Sequence, residues 1–287
     1  MARIKDFLDF IKIEHTLFAL PFAYLGAFLA AGGLFSLKKF ALITIAFTGL
    51  RTAAMSFNRI IDREIDALNP RTKNRHIPAG IISVREAYAV ALTFLAIYFA
   101  SAYLINWLAF VLSPIPAIVS YVYPYLKRFT CLSHYVLGLN LAFAPMGGWI
   151  AVKNSFNVFG DAILPILIGV AVMFWVAGFD IIYALQDLEF DRKFGLHSIP
   201  AHFGVKTAKV VSTVNHVIFL FLLFVAFYEF FEFGTFVKIS LVVITALVIF
   251  QHAIIEVDES KIELSFFYAN ALISFFLLVF TIVEVLC

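Results

Sequence analysis

About nine runs of roughly 20 predominantly apolar residues divide this 287-residue chain, and few folds accommodate such spacing. A helix of that length crosses the hydrocarbon core of a bilayer. Inside lipid, only helices and closed barrels satisfy all their own backbone hydrogen bonds. The runs lie near 13–34, 39–62, 84–105, 106–124, 133–152, 162–187, 207–228, 236–256 and 264–286. Composition agrees: 63% of residues are hydrophobic, 14% are charged and the mean hydropathy is +0.97. A soluble domain is nearer half apolar. The segment from Arg3 through Lys12 into the first apolar run resembles a signal peptide, but the run is long enough to span and more spans follow. We read it as a retained first transmembrane helix. Pro114 and Pro116 predict a kink in the fourth span. Gly32-Gly33, Asn69-Pro70 and Asp161 mark turns between spans. With no polar linker or low-complexity tract, residues 1–287 read as one all-α membrane bundle.

The basic residues orient it. Fifteen of the 21 lysines and arginines fall at the N-terminus and in the loops after spans 2, 4, 6 and 8, against four on the other side. The positive-inside bias therefore places the N-terminus and the rich loops in the cytoplasm, and nine spans put the C-terminus outside. The same topology accounts for the basic residues without nucleic acid. Cys131 and Cys287 fit no metal or redox spacing, and His216 and His252 are read as satisfied residues of the bundle.

The second and sixth spans end alike. Asn58-x3-Asp62-x3-Asp66 precedes a basic loop and His76-Ile77-Pro78-Ala79. Tyr183-x3-Asp187-x3-Asp191 precedes another, with His197-Ser198-Ile199-Pro200-Ala201. Four spans intervene, so both motifs emerge on the cytoplasmic face of two weakly repeated halves. Residues four apart share a helical face, so each motif is expected to form a stripe, with Asp180 further back on the second. Carboxylates at membrane helix ends need a partner, and like charges at this spacing repel. Magnesium, which takes carboxylate oxygens and keeps positions open for phosphate, is one candidate. The nearby basic set, Arg63, Arg71, Lys73, Arg75, Lys127, Arg128, Arg192 and Lys193, is another. Acidic and basic groups together suit a diphosphate bridged by Mg²⁺. Two other readings compete: solvated helix ends of mixed charge, and the cation or proton pathway of a transporter, which clustering at one face disfavours.

At these residues the chain resembles the UbiA superfamily of intramembrane prenyltransferases. The resemblance spans both acidic motifs, the loop Thr72-Lys73-Asn74-Arg75-His76-Ile77-Pro78-Ala79-Gly80, the segment Tyr123-Pro124-Tyr125-Leu126-Lys127-Arg128-Phe129-Thr130, Leu137-Gly138-Leu139-Asn140 and the stretch 180–204. The pieces look most like 4-hydroxybenzoate polyprenyltransferases and related enzymes of menaquinone synthesis, the latter through Glu14-His15-Thr16-Leu17-Phe18-Ala19-Leu20-Pro21. Arg59 stands where many members carry Asp, and Arg75-His76 where many carry Arg-Pro.

The resemblance implies nine helices around a central cavity, polar at its cytoplasmic end and open sideways to lipid. It implies transfer from an isoprenyl diphosphate, such as geranyl or geranylgeranyl diphosphate, to an aromatic acceptor in lipid-quinone biosynthesis. Asp62, Asp66, Asp187 and Asp191 would hold Mg²⁺, with Asn58 orienting that shell or touching phosphate. Arg63, Arg75, Lys127 and Lys193 would contact diphosphate oxygens. Tyr123 and Tyr183 would face an allylic cation. Asp180 would orient Lys127 or bind the acceptor, and His15 would face the acceptor or anchor the interface. A glycerol-phosphate ether, as in archaeal lipid synthesis, is the alternative acceptor.

Overall fold

The computed structural model describes residues 2–231, 234–257, 262 and 268–287, and every regular element among them is helical. A short N-terminal α1 (Ala2–Ile11) precedes α2 (Ile13–Ala31) and α3 (Leu37–Ile61). Then come α4 (Arg63–Leu68), α5 (Val84–Ile105), α6 (Trp107–Leu112), α7 (Pro114–Leu126) and α8 (Ser133–Lys153). The second half holds α9 (Ile163–Tyr183), a 3₁₀ turn at Ala184–Asp187, α10 (Leu188–Phe194), α11 (Ile199–Phe231), α12 (Thr235–Val257) and α13 (Asn270–Leu286). Eight helical segments among the described residues are long and apolar enough to cross a membrane, counting α6–α7 and α9–α10 as one each. The apolar α13 belongs to the expected ninth span, whose first residues, 264–267, lie outside the described residues, as does Lys261.

Local chemistry sets the ends. Gly32 closes α2 in the left-handed region (φ 60°), where a side chain would be strained. Ser36 and Ser83 accept backbone N–H bonds from Lys39 and Glu86, and Glu86 completes a capping box at the start of α5. The fourth span is kinked at Ser113, as expected: Ser113 keeps helical dihedrals (φ −59°, ψ −27°) and donates to the Ala109 carbonyl, and Pro114 opens α7, because proline is tolerated in the first helical turn and not in the interior. The sequence treats residues 1–12 as a mere flank, yet α1 is ordered: Phe10 and Ile11 are buried against Ile60 and Ala87, with Ile77 of the first basic loop packed beside them.

In the packing, α2 lies against α8 and α13, α8 against α9, α9 against α11, and α12 against α13, while α3 packs on α5 and α7. At the α2–α8 crossing both helices use glycine. A Cβ on Gly26 would collide with the Pro145 carbonyl, and one on Gly148 with the Ala23 carbonyl, so the backbones touch where bulkier residues would separate them. The main core gathers around Trp175, Phe22, Phe219 and Phe227. Gly148→Val is therefore expected to destabilise the protein in detergent by about 1–3 kcal/mol. Gly147→Val, whose Cβ would meet open space, should change stability by less than about 0.5 kcal/mol. Equal losses in thermal unfolding would contradict this account of the crossing.

Candidate active site

Both acidic motifs straddle a helix break. Asp62 ends α3 and begins α4 at φ −91°, ψ 0°. Asp187 ends the 3₁₀ turn and precedes α10 at φ −105°, ψ 6°. The continuous stripe expected for each motif is thus bent at the same position of the motif. The bend corrects the expected geometry, but it keeps all six residues (Asn58, Asp62, Asp66, Tyr183, Asp187 and Asp191) on the wall of one polar cavity of 240 Å³.

Each aspartate there has a partner. Lys127 donates to Asp62 at 2.6 Å, and Arg128 Nη2 lies 3.3 Å from its other oxygen. Asn58 donates to Asp62 at 3.2 Å. Arg75 pairs with Asp66 at 2.7 Å. Arg71 grips Asp187 with both Nε and Nη2, and Asn69 donates to the same carboxylate at 2.8 Å. Burial opposes the Arg71 charge, but the hydrogen bonds and charge of Asp187 outweigh it and raise the arginine pKa above its ordinary value. Ser198 donates to Asp191 at 2.8 Å. Arg71 also reaches the Tyr183 hydroxyl at 3.1 Å and lies over its ring.

Two predicted residues fall elsewhere. Arg63 turns to the Ile60 carbonyl and to Glu64 (2.7 Å), and Lys193 is exposed over the Phe194 ring. Neither lines a cavity with the aspartates. Both are one or two positions from an aspartate in sequence, and neighbours at that spacing point to different sides of a helix. Arg71, which reads in sequence only as one of several loop cations, and Asn69, whose Asn-Pro pair reads only as a turn, take the inward positions. Asp180 does not reach Lys127. Its partner is His134, 2.7 Å away, a residue that sequence reasoning passes over. The other His134 nitrogen accepts the Ile199 N–H at 3.3 Å, so Nδ1 carries the proton that binds Asp180.

Asn58, Arg75, Tyr123, Leu137, Asp180 and Tyr183 line both this cavity and a larger one of 410 Å³ that extends into the bundle. There Lys12, His15, Arg51 and Arg59 contribute basic groups. Lys12 pairs with Glu14 at 3.2 Å. Arg59 is 7% exposed, and its Nε lacks a hydrogen-bond partner. Neither Arg51 nor Arg59 forms an ion pair among the described residues. A charge inside an apolar span was the signal for Arg51, because such residues mark sites by default. His216 and His252 lie outside both cavities and bond to one another at 2.7 Å.

The aspartates suit a hard cation. Asp62 Oδ1 and Asp66 Oδ2 are buried and accept no hydrogen bond. No three acidic, histidine or cysteine side chains among the described residues converge enough to hold a metal alone. Such a site fits Mg²⁺, which takes few protein ligands and completes its octahedron with water and phosphate oxygens.

Comparison with known proteins agrees with this geometry. An apo UbiA homologue from Aeropyrum pernix K1 superposes with a TM-score of 0.87 at 37% identity, over 96% of this chain and 99% of that one. A UbiA homologue from Archaeoglobus fulgidus, solved with geranyl diphosphate and Mg²⁺, superposes with a TM-score of 0.75 at 25% identity, over 98% and 99% of the two chains. A 4-hydroxybenzoate octaprenyltransferase of Vesicomyosocius okutanii is 28% identical over 85% of this chain and 86% of its own length. The UbiA prenyltransferase family profile matches residues 19–279, nearly the whole bundle that carries both acidic motifs, and the chain belongs to that family.

Proposed function

We propose that this membrane prenyltransferase moves a polyprenyl group from its diphosphate to a small anionic aromatic acceptor of the 4-hydroxybenzoate type. One observation carries the reading. A cavity of matched carboxylates and cations opens into a second cavity lined by two guanidiniums, Arg51 and Arg59, that form no ion pair among the described residues. The first offers both charges that a metal-bound diphosphate needs, and the second offers a counter-charge for an anionic acceptor.

Asp62, Asp66, Asp187 and Asp191 would hold Mg²⁺, which supplies Lewis-acid neutralisation of the leaving diphosphate. Lys127, Arg71 and Arg75 would pass from carboxylate to phosphate oxygens, and Asn58 would orient the Asp62 carboxylate. Their charges favour departure of the diphosphate with the electron pair of the allylic C–O bond. Tyr123 and Tyr183 present ring faces toward the allylic cation. The aromatic ring of the acceptor, its carboxylate held by Arg51 and Arg59, forms the new C–C bond. The displaced ring proton goes to Asp180, which His134 holds in place. Buried among helices, the site excludes the water that would quench the cation. His15, on the wall of the larger cavity, faces the acceptor's space.

A phosphate would satisfy the same arginine pair, so transfer to a glycerol-phosphate ether is the second reading. The resemblance in fold to a digeranylgeranylglyceryl phosphate synthase accompanies it. The charged end of the bundle would face the cytoplasm. Cysteines placed at Lys73 and Ser155, in a chain with Cys131 and Cys287 changed to serine, should then label from opposite sides; labelling from one side would refute this orientation.

The decisive assay supplies purified protein with geranylgeranyl diphosphate and a panel of aromatic and glycerol-phosphate acceptors. Mg²⁺-dependent release of diphosphate, coupled to a prenylated aromatic carboxylate, is expected. Product only on the glycerol-phosphate ether would move the assignment to the second reading. Asp62→Ala should lower kcat about 10³-fold or more in a folded protein, and Lys127→Met about 10²-fold. Arg71→Ala is expected to be severe while Arg63→Ala stays within about twofold of wild type. The reverse order would overturn the placement of these two arginines.

A further inference from the structure

A small anion arriving from water needs an entrance to the 410 Å³ cavity, and the basic residues of that cavity mark one. Lys12, Arg59 and Arg51 all line it, and they stand in a graded series. The Lys12 side chain is 41% exposed, and Arg59 is 7% exposed. Arg51 lies eight residues back along α3 from Arg59, about 12 Å deeper at the rise of an α-helix. His15 stands among them, within the fields of all three. Cations in file along a low-dielectric wall focus a field that draws anions inward.

The outermost cation sits at a joint. Lys12 separates α1 from α2 at φ 52°, ψ 60°, a left-handed conformation that is strained for a residue with a side chain. Glycine would adopt this backbone without strain. What lysine adds is a cation on the cavity wall. The rims of the joint are fixed. Phe10 and Ile11 anchor α1 on Ile60 and Ala87, the His76 ring meets Phe10 edge-on at 5.9 Å, and Arg75 beside it lines the same cavity. Lys5 and Asp9 are exposed on α1, and charged side chains place that surface in water. Glu14 pairs with Lys12 at 3.2 Å and is 33% exposed, yet it does not line the cavity. An ion pair this exposed is weak, so a competing anion displaces it readily.

We propose that the acceptor enters at the α1–α2 joint, where its carboxylate takes Lys12 from Glu14 and then passes inward to Arg59 and Arg51. The proposal rests on the reading of the larger cavity as the acceptor's site. Lys12 governs admission and touches no reacting atom. It selects for a small, water-borne anion, and Glu14 tempers that selection by competing for the same ammonium. A lipid acceptor, which reaches the bundle from the bilayer, would not pass this file of charge.

Initial rates at saturating geranylgeranyl diphosphate and Mg²⁺ test the entrance, with 4-hydroxybenzoate and its neutral analogue 4-hydroxybenzamide as acceptors. Lys12→Met should lower kcat/KM for 4-hydroxybenzoate about fivefold or more with kcat within about twofold, and Lys12→Arg should restore it. Glu14→Gln, which releases the lysine, should raise it about twofold. The ratio of kcat/KM to wild type should stay near one for the amide in all three variants. A mere strut would behave otherwise. Equal losses for both acceptors, or a loss in Glu14→Gln that matches Lys12→Met, would overturn the proposal. Should Lys12→Met not fold, wild type decides through salt. Raising NaCl from about 50 to about 500 mM should cut kcat/KM for 4-hydroxybenzoate about threefold or more and spare the amide. The same salt response for both acceptors refutes the entrance. Wild-type transfer to 4-hydroxybenzoate separates the two claims: its absence refutes the acceptor reading, whereas transfer indifferent to Lys12 and Glu14 refutes only the entrance.

Discussion

Charge pairing at two helix breaks governs the rest of this molecule. Four aspartates emerge at one end of a largely apolar bundle, and an unpaired carboxylate in such surroundings is costly by several kcal/mol. Asp62, Asp66 and Asp187 are each met by a cation brought from elsewhere in the chain: Lys127 from the end of α7, Arg75 and Arg71 from the loop after α4. Asp191 is met by the Ser198 hydroxyl at the start of α11. Fold and site are therefore one problem. The helices are placed so that the ends of α3, α7 and α9 converge, and the loops close over them because they carry the counter-charges.

The same pairing prepares chemistry. A cation bound to a carboxylate is held in position and already desolvated. Under the proposed function, Mg²⁺ held by the carboxylates would leave such a cation to contact a phosphate oxygen. The helix breaks assist, since a residue in the bridge region turns its side chain off the regular helical face and toward the cavity. Arg51 and Arg59 complete the division of labour. They lie on the α3 helix that carries Asn58, but they line the neighbouring cavity, and neither forms an ion pair among the described residues.

The helices and the membrane setting were legible in the sequence, because both follow from apolar run length, and the matched four-residue spacing of the two motifs pointed to the aspartates' gathering on one cavity wall. Arg63 and Lys193 show where that logic stops. Nearness in sequence to an aspartate is not nearness in space, and Arg71, nine residues beyond Asp62, reaches across to Asp187 instead. His134 was invisible for a related reason: its meaning depends on the α8–α9 contact that sets it against Asp180, and one chain read linearly does not display helix pairing. The kink in the fourth span was legible from Pro114, but the side-chain bonds around it were not. Asn106 donates to the Ile150 carbonyl and Tyr98 to the Ser113 carbonyl, contacts that depend on how α5, α6 and α8 pack together.

The claim that the cations lie on the carboxylates until a divalent ion replaces them can be tested by binding alone, without turnover. Calorimetric titration of purified protein with a non-cleavable thio-analogue of geranyl diphosphate, with and without Mg²⁺, is the direct measurement. Tight binding only with Mg²⁺, abolished by Asp62→Ala and by Asp187→Ala, is the predicted result. Equally tight binding in its absence would mean that the basic residues hold the diphosphate by themselves, and it would contradict the role assigned to the four aspartates.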